Sequence, residues 1–224
     1  MSSRTILAVG MGLLAVLGTL GTPGAAAAGW PGTDFSGAPC DGKAQGVGPF
    51  DYLQRGVLAG KLQLVEGYHF TPEVENLVSG KSGRIESDLD YTLRAWPNHH
   101  RALNAMMRFQ SRLDTAQLRR LKAADVPPVE CYLQRAVAFS PRDATARMLF
   151  AIHLQQAGRL QDARQLYEQA LELAPGDIQL QYNYGLLLVE QGELVKAREI
   201  ADRVYAQGFP LPGLMRKLQA SGGG

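Results

Sequence analysis

This 224-residue chain is poor in the residues that usually announce chemistry, with two cysteines and four histidines in all. No Cys-x-x-Cys, Cys-x-x-Cys-His or His-Glu-x-x-His occurs, which leaves no redox pair, haem attachment or zinc-protease signature. His99 and His100 are adjacent at a predicted helix start, so their side chains diverge by about 100° and do not converge on one metal. Gly-x-Ser-x-Gly is missing, as is a glycine-rich loop running into a helix, which removes the usual serine-hydrolase and nucleotide-binding signals. Glu73 with Glu75 and Asp88 with Asp90 are spaced two apart on predicted helices, where side chains point away from each other and cannot share a proton. The residues therefore predict a non-enzyme with no cofactor and no metal site.

Charge of one sign is also scarce. The formal net charge is +2, and Lys and Arg alternate with acids along the predicted helices, which excludes a phosphate-binding surface and hence a nucleic-acid partner. The one dense basic spot, Arg119, Arg120 and Lys122, reads as a solvated helix end. There is one long apolar run, residues 6–20, shorter than the ~20 residues of a spanning helix. Arg4 precedes it, and Pro23, Gly24 and Ala25 to Ala28 follow it, the pattern of a secretory signal peptide over residues 1–28 with cleavage near Ala28. No Leu-x-Gly-Cys follows, so no lipid anchor is expected. The mature chain is predicted to begin near Gly29, to be periplasmic or secreted, and to hold no membrane span. In an oxidising compartment Cys40 and Cys131 are expected to pair, pinning the start of the mature chain to its body.

Residues 29–70 read as an irregular leader, richest in Gly, Pro, Ser and Asp before Gly48 and without apolar periodicity. Beyond it, Thr71 as cap, Pro72 at the first position and Glu73 and Glu75 in the first turn predict a short helix ended by Gly80 to Gly83. Ile85, Leu89, Thr92 and Leu93 share one face of a second helix, over about 84–95, which Pro97 stops; Asn98 is the expected cap of the next.

Internal repetition is the strongest pattern. Laying residues 144–177 over 178–211, an offset of 34, pairs Ala151 with Gly185, Leu154 with Leu188, Gly158 with Gly192, Ala163 with Ala197, Tyr167 with Ala201 and Ala170 with Val204. Small residues at these positions let two antiparallel helices approach, and the glycines suit the left-handed turn after the first helix. Pro175 closes the second helix. At these positions the chain resembles the tetratricopeptide repeat, which implies an all-α superhelix of three to four helix-turn-helix hairpins. Leu133, Ala136 and Pro141 repeat the second-helix pattern upstream, and Leu89, Thr92 and Pro97 do so more faintly, so residues 71–143 read as degenerate repeats. Pro97 and Pro141 are 44 apart, ten more than the period, which predicts an insertion between Leu113 and Pro128. Residues 144–209 are the two regular repeats, and residues 210–224 a capping helix and tail.

Gly48-Pro49-Phe50-Asp51-Tyr52, His69-Phe70-Thr71-Pro72-Glu73, Asp88-Leu89-Asp90-Tyr91 and Pro97-Asn98-His99-His100-Arg101 resemble a group of exported bacterial repeat proteins, which implies the same architecture and compartment and no chemistry. The repeat resemblance implies a groove lined by the first helix of each hairpin, here Met148, Ile152, Gln155, Tyr182, Asn183, Leu186 and Glu190. Repeats that grip C-terminal carboxylates carry Lys where this chain has Met148 and Tyr182, and Asn where it has Ile152 and Leu186; Asn183 alone matches. An extended or helical segment in apolar pockets, its backbone bonded by Asn183, is expected instead. The leader is an alternative cover for the same face. The predicted role is a non-enzymatic scaffold or adaptor of the bacterial cell envelope with a protein partner. The rival is a structural subunit that associates with copies of itself.

Overall fold

Where helices cross, side-chain size sets how closely their axes come, and alanine and glycine occupy the crossings here. The computed structural model of the chain describes residues 29–44 and 46–222. The signal-peptide reading of residues 1–28 lies outside the described residues. Among these, eleven α-helices follow one another: α1 (Ala59–His69), α2 (Pro72–Glu75), α3 (Ile85–Ala95), α4 (His100–Gln110), α5 (Thr115–Ala123), α6 (Val129–Phe139), α7 (Ala144–Gln156), α8 (Leu160–Leu173), α9 (Ile178–Glu190), α10 (Leu194–Ala206) and α11 (Gly213–Ala220). No strand occurs among the described residues, and one isolated bridge joins Thr33 to Pro39.

The helices stack as hairpins: α1 on α3, α4 on α6 with α5 interposed, α7 on α8, and α9 on α10, with α11 against the open side of α9 and α10. The two regular hairpins are built alike. Asp143 and Asp177, 34 apart, each accept a backbone N–H three residues on, at 2.9 Å, and so cap α7 and α9. After α7, Gly158 has φ 75°, its N–H bonds to Gln155, and Arg159 N–H bonds back to Leu154. After α9, Gly192 at φ 78° repeats both bonds with Val189 and Leu188, a Schellman closure at each turn. Ala151, Ala163, Tyr167 and Ala170 are fully buried in one cluster. In the next, a Cβ added to Gly185 would lie 2.7 Å from Leu214 Cδ2 and 3.2 Å from Ile200 Cγ2, so any larger residue there must displace those side chains.

The N-terminal half departs from the sequence reading in three places. The stretch read as irregular through residue 70 contains α1. Its apolar residues face both ways, with Val65 buried and Leu64 and Tyr68 exposed, so no one-sided period marks it as a helix. The cap of α4 is His99, whose Nδ1 accepts from Ala102 N–H at 3.1 Å. Asn98 is buried instead in a hub: its Oδ1 accepts from Tyr52 N–H, and its Nδ2 donates to Asp51 and Asp143. Thr71 precedes α2 but makes no side-chain capping bond. The insertion of residues 113–128 folds as α5, started by a reciprocal capping box of Asp114 and Gln117.

Candidate functional site

The leader is bound across α6 by contacts of several kinds. Cys40 and Cys131 form a disulfide, with both residues buried. Trp30 meets Tyr132 edge to face at 5.0 Å, and the Arg135 guanidinium lies over the Trp30 ring at 4.9 Å. Burial pushes that guanidinium down to about 10, and it donates to the carbonyls of Leu93 and Arg94. Gln134 donates to the Thr33 carbonyl at 2.8 Å.

Residues 33–39 turn back on themselves around Asp34, whose carboxylate accepts from Ser36 N–H, Ser36 Oγ and Ala38 N–H. Lys122 of α5 adds an ion pair at 2.7 Å. Lys122, with Ser36 next, brings the Asp34 carboxyl down to about 2. At the tip, Phe35 N–H donates to Glu130 Oε1 at 2.9 Å, and its ring stacks on His153 of α7 at 5.2 Å with Arg159 over it at 5.0 Å. Glu130 Oε2 is 3.6 Å from His153 Nε2. Burial raises the Glu130 carboxyl, but His153 and the Phe35 N–H outweigh it and hold it below its ordinary range.

The insertion supplies the opposite wall. Buried Gln110, at the end of α4, donates to the Pro127 carbonyl and accepts from Val129 N–H, both at 2.9 Å, so α5 is held as a flap between α4 and α6. A cavity of about 670 Å³ lies between leader tip, flap and the ends of α4 and α7. Phe35, Met107, Leu118, Leu121, Val126 and Val129 give it apolar walls, with Glu130 and His153 at one side and Arg119 at another. Its size is that of a ligand pocket, and Leu118 and Phe35 are 37% and 41% exposed, so apolar surface faces the opening. Neither residue was expected from sequence. The available signal was the ten-residue excess over the period, which marks where the flap is but not what it faces.

The seven groove residues fall into three groups. Met148 and Tyr182 are buried, and the Tyr182 ring is covered by Phe209 at 4.5 Å and by Gly213, where an added Cβ would be 2.5 Å from the tyrosine oxygen. What seals this end is therefore α11; the described leader contacts run to α3, α5, α6 and α7. Gln155 donates to Glu190 at 2.9 Å and accepts from Tyr167, while Glu190 also pairs with Lys217 of α11 at 2.5 Å. Ile152, Asn183 and Leu186 are half-buried, with Asn183 Nδ2 3.4 Å from Met148 Sδ. On α7, Gln156 of the cavity wall follows Ile152 by four residues, so cavity and inner wall are neighbours on one helix.

Besides His153 of the cavity wall, the other three histidines hold the fold. His69 Nδ1 pairs with Asp88 at 2.9 Å, and Asp88 Oδ2 accepts the N–H groups of Lys81 and Ser82, closing the loop before α3. His99 donates from Nε2 to Glu66, and burial lowers its basicity, so it stays neutral with Nδ1 free to cap α4. His100 pairs with Asp143 at 2.8 Å. No cluster of metal-ligating residues occurs among the described residues, and none of their helices is long and apolar enough to cross a membrane.

Residues 154–220 match the family model of the tetratricopeptide repeat. Among solved structures, the chain is similar to PilF of Pseudomonas aeruginosa, at 18% identity over 75% of this chain and 68% of that one, with a TM-score of 0.49. It is similar to MamA of Desulfovibrio magneticus RS-1, at 20% identity over 69% and 87% with a TM-score of 0.44. YrrB, described as a TPR protein with an unusual peptide-binding site, is 18% identical over 75% and 97% with a TM-score of 0.37. No curated protein matches the chain.

Proposed function

We propose that this chain, whose C-terminal half is built of tetratricopeptide repeats, is a non-enzymatic scaffold of the bacterial cell envelope that holds an apolar segment of a polypeptide partner. Stacked helical hairpins of this kind present continuous surfaces to other proteins, and α7 joins the inner wall to the Phe35 cavity. The observation that carries the reading is that two irregular features converge on one space. The leader tip and the insertion, both additions to the repeat, wall a 670 Å³ apolar cavity, and the Cys40–Cys131 disulfide fastens the leader to α6 beside it. A fold that needed only stability would close that space with side chains.

A partner segment would seat its apolar side chains between Phe35 and Leu118 and continue past Ile152 toward Asn183 and Leu186. The envelope assignment is supported by the signal-like residues 1–28 and by the buried Cys40–Cys131 pair, which suits an oxidising compartment. Affinity purification from the envelope, comparing the native chain with Leu118→Glu, tests the reading. We expect at least one envelope protein to be recovered by the native chain and to fall by roughly tenfold with the variant, as a charge set into a desolvated pocket dictates. Equal recovery by both chains removes the cavity as the partner site.

A further inference from the structure

Helix α1 and the turn before it are apolar on two opposite faces. Leu58, Leu62 and buried Val65 pack toward Tyr52 and Trp96. Leu53, Val57, Leu64 and Tyr68 point outward, at 46%, 91%, 60% and 60% exposed. Leu58 N–H bonds to the Gln54 carbonyl, so the helical phase runs through the turn, and at 100° per residue the four fall in one stripe with Gly60 and Gly67. A Cβ added to either glycine would meet nothing within 4 Å. Glycine weakens the middle of a helix, and nothing in the described chain requires it at these two positions. The opposite end of the stack differs: there α11 covers the last hairpin, with Leu214 and Leu218 fully buried. Among the described residues, the first hairpin has no such cover on its outer face.

We propose that this stripe is a self-association surface, pairing α1 antiparallel with α1 of a second copy about a two-fold axis through Leu64. From Gly60 to Tyr68 the pattern is self-complementary, which is what a two-fold interface demands, while Leu53 and Val57 lie beyond the paired helices. With Leu64 on the axis, Tyr68 of each copy faces Gly60 of the other, so a protruding ring meets bare backbone twice. In the same register Lys61 faces Gly67 and Glu66 faces Leu62, so no charge meets its like. Lys61 is in any case held over the Phe50 ring at 4.5 Å, and Glu66 is bonded to His99 and Arg101. One pair of 11-residue helices makes a small interface, at the low end near about 1,200 Å² or less, so the dimer dissociates in the micromolar range.

Sedimentation of the purified chain over about two decades of concentration tests this, because a weak interface of this size is half-occupied within that span. We expect a monomer–dimer equilibrium. Leu64→Glu places two carboxylates on the axis and Gly60→Leu fills the notch under Tyr68; each should weaken association roughly tenfold or more while the far-ultraviolet dichroism is unchanged. Leu64→Cys should form a covalent dimer on oxidation, since the two thiols meet on the axis. A chain that stays monomeric throughout, variants that associate as the native chain does, growth beyond dimers, or no cross-link through Cys at position 64 would each overturn the proposal.

Discussion

Residues 144–206 and residues 29–143 of this chain solve the same packing problem by different means. In the C-terminal stretch, small residues at helix crossings, aspartate caps and Schellman glycines recur at a 34-residue spacing, and almost every contact lies within a hairpin or with its neighbour. In the N-terminal stretch the described caps and turns follow no such spacing, and specific polar and covalent links hold the helices instead. Asn98, Asp51, Asp143 and Ser140 form a buried hub, Tyr132 donates to Asp90 at 2.6 Å, and the disulfide ties residues 91 apart. The contrast teaches that the regular hairpins are stabilised by many interchangeable contacts, whereas the irregular stretch depends on a few that are not. It also explains why the cavity lies where the N-terminal stretch meets α7: the inserted segments leave helix ends uncovered there.

Both tryptophans, Trp30 and Trp96, are in the N-terminal stretch, so their fluorescence reports on it alone, whereas far-ultraviolet dichroism reports on all helices. The largest expected effect is that of Cys40→Ser, which should destabilise the N-terminal stretch by about 4 kcal/mol through the freed loop. The fluorescence transition in denaturant should then precede the dichroism transition; coincident transitions would mean the two stretches are not separable in this way. Next is Gly185→Val, which drives a branched side chain into Leu214 and Ile200 and should cost about 2–3 kcal/mol. Here the order should reverse, with dichroism lost before tryptophan fluorescence changes. The smallest effect is that of acid on the leader tip. The Asp34 carboxyl titrates at about 2 when folded against 3.8 ordinarily, so its contribution is complete above about pH 4 and is lost as pH falls from there toward 2. Amide exchange at Phe35 and Ser36 should accelerate across that window in the native chain and show a smaller acceleration in Lys122→Met.

Much of the C-terminal stretch was legible because the residues that define it are close in sequence. Ala151 meets Ala163, and Gly158 closes on Leu154 and Gln155, within one hairpin, so a period in residue type is a period in contacts. The cap of α4 was misread because Asn98 and His99 both suit a helix start, and the choice between them was made by distant partners, Asp51 and Asp143 for one and Glu66 for the other. Helix α1 was missed for a related reason: its second apolar face has no partner among the described residues, and two apolar faces blur the periodicity that would have revealed it. The groove residues were placed by analogy with the repeat, and that analogy contains no term for α11, which covers Tyr182.

What the sequence determined by itself is the helical repeat, its turns and the pairing of its only two cysteines, because each depends on residue type at short spacing or on there being no other choice. The path of the leader, the flap made by α5 and the cavity between them were decided by the tertiary structure alone. Their contacts, such as Phe35 with Glu130 at a separation of 95 residues and Lys122 with Asp34 at 88, follow from how already folded hairpins present their surfaces, and no local pattern encodes that.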